Sequence, residues 1–221
     1  MSHAIRAVLL DIDGTLIDSN DAHAQAWVEA GAELGHAIAF EDVRWLVGMG
    51  GDRVLPRLTG LPEESVEGRR LLQRRGEIFR SRYLPGLRPF PETRALLERL
   101  RADGRRLVVA TSASAEDLDG LLAQAGVADV IAAATNADEA EESKPAPDIV
   151  AAALARAHAP PEHVVMLGDT PYDVEAARRA GVRCIALRCG GWDDAALRDA
   201  VEIHQDPAAL LAAYDGSLLA R

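Results

Sequence analysis

The sequence predicts an α/β protein: a Rossmann-like parallel sheet, three layers deep as α/β/α, with an inserted all-helical cap domain. Three observations predict it. Short apolar, β-prone runs alternate with Ala- and Leu-rich helical segments through the second half of the 221 residues, the pattern of a parallel sheet covered on both faces. The stretch 18–87 breaks that alternation and reads as helices alone. The first apolar run ends abruptly in Asp11-Ile12-Asp13-Gly14. On an extended backbone such alternate carboxylates point the same way, while Ile12 points into the core.

Taken in order, the first strand is expected over 4–10. Helices follow at 18–34, near 41–46, near 52–58 and over 62–83, punctuated by Gly48, Gly50, Gly51, Pro85 and Gly86. This is the cap, 18–87, inserted between core segments 1–17 and 88–221, with 15–19 and Pro85-Gly86 as its hinge strands. The alternation then runs helix 91–101, strand 106–110, helix 115–125, strand 129–133 and helix 148–157. Strand 163–167, helix 171–180 and strand 182–187 continue it. Past Gly190-Gly191-Trp192 come a helix, a short strand near 200–203 and a last helix from Pro207. Ligands of such sheets bind at the carboxyl ends of the strands. Asp11, Thr111 and Asp169 all fall there, and Lys144 lies in a loop before a helix.

Composition narrows the function classes. A hydrophobic fraction of 48% supports a sizeable core, yet no stretch approaches the roughly 20 apolar residues of a membrane span. The N-terminus lacks a basic region followed by an apolar run, so a cytoplasmic protein without membrane association is expected. Cys184 and Cys189 are too few and too close for a disulfide framework. A net charge of -11 excludes a nucleic-acid partner, whose phosphates would be repelled. Monomer and homodimer both stay open. The charge is uneven: residues 41–90 hold ten arginines against seven acids, and residues 129–175 hold ten acids against two bases. A mildly basic segment facing an acidic one suits an anionic substrate held between them. Arg69, Arg70, Arg74 and Arg75 are read as a solvated helix face.

Asp11 and Asp13 at the end of a buried strand repel each other unless a cation sits between them, an arrangement for Mg²⁺. The chain also has twenty-three arginines and a single lysine, Lys144. A position that keeps a compact ammonium on a flexible stem suits a phosphate site.

Asp11-Ile12-Asp13-Gly14-Thr15, then Val108-Val109-Ala110-Thr111-Ser112, then Lys144-Pro145, then Gly168-Asp169-Thr170-Pro171-Tyr172-Asp173 resemble the four ordered motifs of the haloacid dehalogenase superfamily. The chain is similar to the branch that contains phosphoglycolate phosphatases and β-phosphoglucomutases. The resemblance covers nearly the whole chain and implies a Mg²⁺-dependent phosphatase acting on a small phosphorylated metabolite. Asp11 would be the nucleophile, forming an aspartyl-phosphate. Asp13 would protonate the leaving oxygen and then activate water. Dehalogenase members lack this second aspartate, which favours phosphate chemistry. Asp169 would complete the metal site with Asp11 and the Asp13 carbonyl. Asp173, three residues after a Thr170 helix cap, would act on the metal through water or complement the helix dipole. Lys144 would bridge nucleophile and phosphoryl group.

Thr111 and Ser112, leading into a helix N-terminus, are expected to hold phosphoryl oxygens, with Ser114 as a cap only. Asp138 and Glu139 would line the entrance or face solvent. Related caps use an arginine near a glycine-rich turn to grip the far end of the substrate, which nominates Arg53 beside a surface ion pair as its alternative. His23 and Trp27 read as packing residues, although His23 could face the substrate. Two other functions remain in view: a phosphosugar mutase of the β-phosphoglucomutase type, and a phospho-receiver-like regulator. A phosphonoacetaldehyde hydrolase needs a cap lysine, which the chain lacks.

Overall fold

The computed structural model describes residues 4–221, so of the expected core segment 1–17 the first three residues lie outside the described part. Six parallel strands form one sheet: β1 (Ala7–Leu10), β2 (Arg106–Ala110), β3 (Ala133–Thr135), β4 (Val164–Gly168), β5 (Arg183–Leu187) and β6 (Glu202–His204), in the order β3-β2-β1-β4-β5-β6. β1 lies between β2 and β4, with Leu10 level with Val109 on one side and Leu167 on the other. The motif-bearing strand ends are therefore neighbours.

Side-chain alternation makes three layers. Val8, Leu10, Val109 and Leu167 enter one apolar cluster, covered by α5 (Thr93–Ala102), α6 (Ala115–Ala125) and α9 (Pro207–Ala212). Ala7, Leu9, Val108 and Met166 enter the other, covered by α7 (Asp148–Ala157) and α8 (Pro171–Arg179). A strand buried on both faces reads as a continuous apolar run, as Ala7–Leu10 does. Leu9 and Leu10 are fully buried, and truncating either to Ala costs roughly 2–5 kcal/mol.

Between β1 and α5 the chain forms helices only: α1 (Asn20–Leu34), α2 (Phe40–Arg44), α3 (Gly51–Thr59) and α4 (Val66–Ile78), the last continuing through a π-helical turn over Phe79–Tyr83. Trp27, Val43, Leu55, Leu71 and Phe79 join the same cluster as the first sheet face, so this segment packs over the carboxyl ends of β1 and β2.

Three expectations shift. The strand expected at 129–133 forms at Ala133–Thr135, because Asp129 is exposed and paired with Arg94 at 2.8 Å. No helix forms between Gly191 and β6; Asp193 instead accepts from Ala196 N–H at 2.9 Å and Arg188 grips Asp194, holding a run of turns. The two connections to the helical segment meet through Ile17 and Pro89, whereas Pro85-Gly86 sits in a 3₁₀ turn, Leu84–Gly86.

Candidate active site

The turn after β1 depends on glycine. Gly14 takes a φ of +76°, and a Cβ there would run into Asn20 and Asp169, while its N–H donates to the Ile17 carbonyl at 2.9 Å. This reversal brings Thr15, Ser19 and Asn20 back over the aspartates. Thr15 donates to Asp169 Oδ1 at 2.9 Å and lies 3.3 Å from Asp11 Oδ2. Asn20 donates to Asp169 Oδ2 at 3.1 Å.

At the head of α8, Thr170 accepts from the Asp173 N–H while Asp173 accepts from the Thr170 N–H, a reciprocal capping box with Pro171 in the first turn. The other Asp173 oxygen turns inward, 2.7 Å from Lys144 Nζ. That same ammonium donates to Asp11 Oδ1 at 2.6 Å and is fully buried. Asp173 thus caps its helix and faces the site at once.

Asp11, Asp169 and Asp173 each bring one carboxylate oxygen within 4.8 Å of the others, all three buried. Three acids against one ammonium leave an excess of buried negative charge. Burial pushes the Asp11 carboxyl up to about 7 despite Lys144, with Asp173 and Asp13 adding to the rise. Burial also lifts Asp169 well above the carboxylate range, helped by Asp173 and Asp11. Burial opposes the charge on Lys144, but Asp11 and Asp173 outweigh it and hold its proton above the ordinary lysine range. An all-oxygen donor set short of positive charge fits a hard divalent cation.

Asp13 points elsewhere. Its Oδ1 accepts from Ser19 Oγ at 2.5 Å and lies 2.8 Å from His23 Nε2. Any share of Asp13 in the ion site therefore falls to its backbone carbonyl. Arg75 donates to His23 Nδ1 at 3.1 Å, and an arginine can only donate, so the proton of this imidazole sits on Nε2 and is given to Asp13. Burial works to raise the Asp13 carboxyl, yet His23 and Ser19 outweigh it and hold it below the usual range.

A small cavity opens onto Asp11, Asp13, His23, Thr111 and Ser112. Ser112 Oγ is buried there without a protein partner, and Thr111 Oγ1 accepts from Ala113 N–H at 3.1 Å. Ser114 caps α6, as expected. A larger cavity adjoins the first and is edged by Asp138, while Glu139 pairs with Arg156.

Arg53 does not reach either cavity: its guanidinium is taken by the Ser143 carbonyl at 3.0 Å and by Glu142 at 2.5 Å. The arginine that borders both cavities is Arg75, which corrects its reading as a solvated face. It stacks near Trp27 and Phe79, about 5.9 and 5.6 Å from their ring centres, and pairs with buried Asp117 at 3.3 Å. The signal was its spacing: Arg75 is four residues past Leu71 and three before Ile78, both buried. Arg69 and Arg70 are exposed, as expected. Ser19 and Asn20, which carry no motif signal in the sequence, also join the site, and His23 is both packed and polar there. His23 lies against Phe79, ring centres 3.9 Å apart.

The family model of haloacid dehalogenase-like hydrolases matches residues 5–181. The chain belongs to this family. Among its relatives, the phosphoglycolate phosphatase of Aquifex aeolicus is 34% identical over 197 residues, 85% of this chain and 86% of that protein. The fructose-1-phosphate phosphatase YqaB of Escherichia coli is 27% identical over 82% of this chain and 95% of its own length. Among solved structures, a hydrolase from Pseudomonas syringae superposes with a TM-score of 0.88 at 27% identity, covering 96% of this chain and 98% of that one. This haloacid dehalogenase-like hydrolase carries no helix long and apolar enough to cross a membrane among its described residues.

Proposed function

We propose that the chain is a Mg²⁺-dependent phosphatase of a small phosphorylated metabolite, working through phosphoryl transfer to Asp11, with 1–17 and 88–221 as catalytic core and 18–87 as cap. One observation carries the reading. A buried carboxylate at the end of the central strand sits 2.6 Å from a buried ammonium, beside two further acids, and faces a cavity it shares with Asp13. The phosphatase names of the relatives agree with it.

Asp11 attacks phosphorus, and the bond to the leaving oxygen breaks as the new one forms. Lys144 holds Asp11 Oδ1 in place and stands ready to neutralise the transferred group. Thr111, and the Ser112 hydroxyl left without a protein partner, supply donors for the phosphoryl oxygens at the entry to α6. Asp13, ionised at rest, takes up the proton of the incoming monoester monoanion and passes it to the leaving oxygen as the ester bond breaks; ionised again, it takes one from the water that attacks the phosphorylated Asp11. His23 and Ser19 hold its carboxylate in the ionised form that the second half requires. Asp11 and Asp169, with Asp173 and the Asp13 carbonyl, would hold Mg²⁺, which when bound offsets charge on the phosphoryl oxygens.

The test is phosphate release from a panel of phosphate monoesters, ranked by kcat/KM with Mg²⁺ and repeated in excess EDTA. Release that stops in EDTA and in Asp11→Asn, with beryllium fluoride trapped on Asp11, is the expected result. Full turnover in EDTA removes the metal from the mechanism. Turnover in Asp11→Asn, with deamidation back to Asp excluded, removes the nucleophile.

A further inference from the structure

Ser143 stands immediately before Lys144, and all of its polar atoms bond to the helical segment. Its hydroxyl donates to Asp52 Oδ1 at 2.6 Å and accepts from Gly50 N–H at 3.0 Å. Its N–H donates to Asp52 Oδ2 at 3.3 Å. Its carbonyl accepts from Arg53 Nε at 3.0 Å, and also from Ala146 N–H within its own turn. Glu142, one residue earlier, takes the far end of the Arg53 guanidinium. The approach is close enough that a Cβ on Gly50 would stand 2.7 Å from Ser143 Cβ.

The loop from 136 to 147 holds one 3₁₀ turn, Ala137–Glu139, and Lys144 lies in the turn that the Ser143 carbonyl closes with the Ala146 N–H, so the bonds Ser143 makes outside the loop help to place that turn against the sheet. One peptide further on, the Lys144 ammonium meets Asp11 at 2.6 Å and Asp173 at 2.7 Å. Four hydrogen bonds of 2.6 to 3.3 Å from Gly50, Asp52 and Arg53 therefore lie one residue away from the ammonium that contacts the nucleophile.

We propose that Asp52 and Arg53 are positioning residues that place Lys144 through Ser143, so that docking of the first turn of α3 onto the loop completes the site. The kinetic consequence rests on the phosphatase reading above; the structural consequence does not. Arg53 then touches no substrate. Its guanidinium and the Asp52 carboxylate clamp the backbone and hydroxyl of Ser143, and a site opened at this joint has its lysine out of register with Asp11. A misplacement of about 1 Å in such a group can slow a reaction about 10²-fold without removing any contact to substrate.

The chain has one lysine, so protein labelled with ¹³Cε,¹⁵Nζ-lysine reports Lys144 as a single NMR signal. Asp52→Ala is expected to shift or broaden that signal and to lower kcat by about 10-fold or more. KM should stay nearly constant, and the factor should be the same on para-nitrophenyl phosphate as on the best metabolite. Asp52→Asn retains an acceptor for the Ser143 hydroxyl and should recover most of the rate. Ser143→Ala added to Asp52→Ala should cause little further loss, because both act through one joint. An unmoved lysine signal in folded Asp52→Ala overturns the proposal, as does a loss confined to KM or to substrates with an anionic far end. Should Asp52→Ala fail to fold, Ser143→Ala takes its place with the same readouts. If the wild type releases phosphate from no ester, the phosphatase reading fails, and the lysine signal still decides this one.

Discussion

At the scale of single residues, Asp11 carries both the proposed chemistry and a measurable destabilisation. Its carboxyl titrates at about 7 in the fold, against about 3.9 in an unfolded chain. A pKa raised by folding gives stability that is complete below the unfolded value and lost as pH rises through the folded one. The metal-free protein should therefore weaken between roughly pH 4 and pH 7 because of this group. Asp11→Asn does not titrate, so in EDTA its melting temperature should exceed that of the wild type by several degrees at pH 8, with the gap closing toward pH 4. Saturating Mg²⁺ should reverse the order, since only the wild type keeps the full donor set. Thermal melts across pH decide it: a variant no more stable than wild type at pH 8 in EDTA would contradict the charge balance described here. Asp11 and Lys144 were legible in the sequence, one ending an apolar run and the other a solitary lysine; Asp169 came with the motif resemblance, and Asp13, expected to share a cation with Asp11, turns its carboxylate to His23 and Ser19 instead. Arg75 was not, because a count of arginines on a helix ignores which stripe each occupies. Of the two readings of Arg53 the ion pair is the one realised, with Glu142, although sequence cannot show that a loop some ninety residues later folds against it.

At the scale of elements, the strands legible in the sequence were those whose apolar runs are buried on both faces. β2 and α6 fall on their expected residues. The elements that moved are ones where side chains compete with regular backbone bonding. Asp193 and Asp194 hold turns where a helix was expected, and Arg94 draws Asp129 outward into a pair. The loop after β5 gives a test at this scale. Gly190 lies in the 3₁₀ turn Arg188–Gly190, its carbonyl accepting from Arg44 at 2.7 Å and Asn20 at 3.3 Å. Its φ is not left-handed, so the demand for glycine here is one of space. A Cβ would come within 2.6 Å of Asp169 Cβ and closer still to the carboxylate. Gly190→Ala should therefore fold, yet tilt Asp169 and weaken Mg²⁺ binding about 10- to 100-fold, as loss of a group supporting a ligand typically does. Activity titrated against Mg²⁺ measures this; an unchanged half-saturation would show that Asp169 has room to spare.

At the scale of the whole molecule, two further flanks hold the helical segment to the sheet besides its joint with Ser143. On one, Arg44 bonds the Gly190 carbonyl, and Tyr172 donates to the Trp45 carbonyl at 2.6 Å beneath an edge-on Trp45–Trp192 contact. On the other, Asp117 in the first turn of α6 receives Arg75 at 3.3 Å and Arg80 at 2.9 Å. Asp117 is almost fully buried, 1% exposed, whereas Glu116, which also meets Arg80, has a side chain 74% exposed. The two acids offer a matched comparison. A buried acceptor of charge-assisted bonds is worth about 1.5–3 kcal/mol per bond, while exposed pairs are worth about 0–1 kcal/mol. Both arginines are partly exposed, so Asp117→Asn, which keeps one acceptor, should cost about 1–3 kcal/mol and lower Tm by several degrees. Glu116→Gln should stay within about 0.5 kcal/mol of wild type. Since Arg75 also holds His23 against Asp13, the Asp117 variant should in addition lose kcat/KM on every substrate, with a changed acid limb in its pH profile. One molar NaCl should remove most of the Glu116 effect and little of the Asp117 effect, because burial shields a pair from screening. Equal melting temperatures for the two variants would mean that this flank contributes nothing to closure, and the segment would then be held by its apolar face, the Gly190 side and the Ser143 joint.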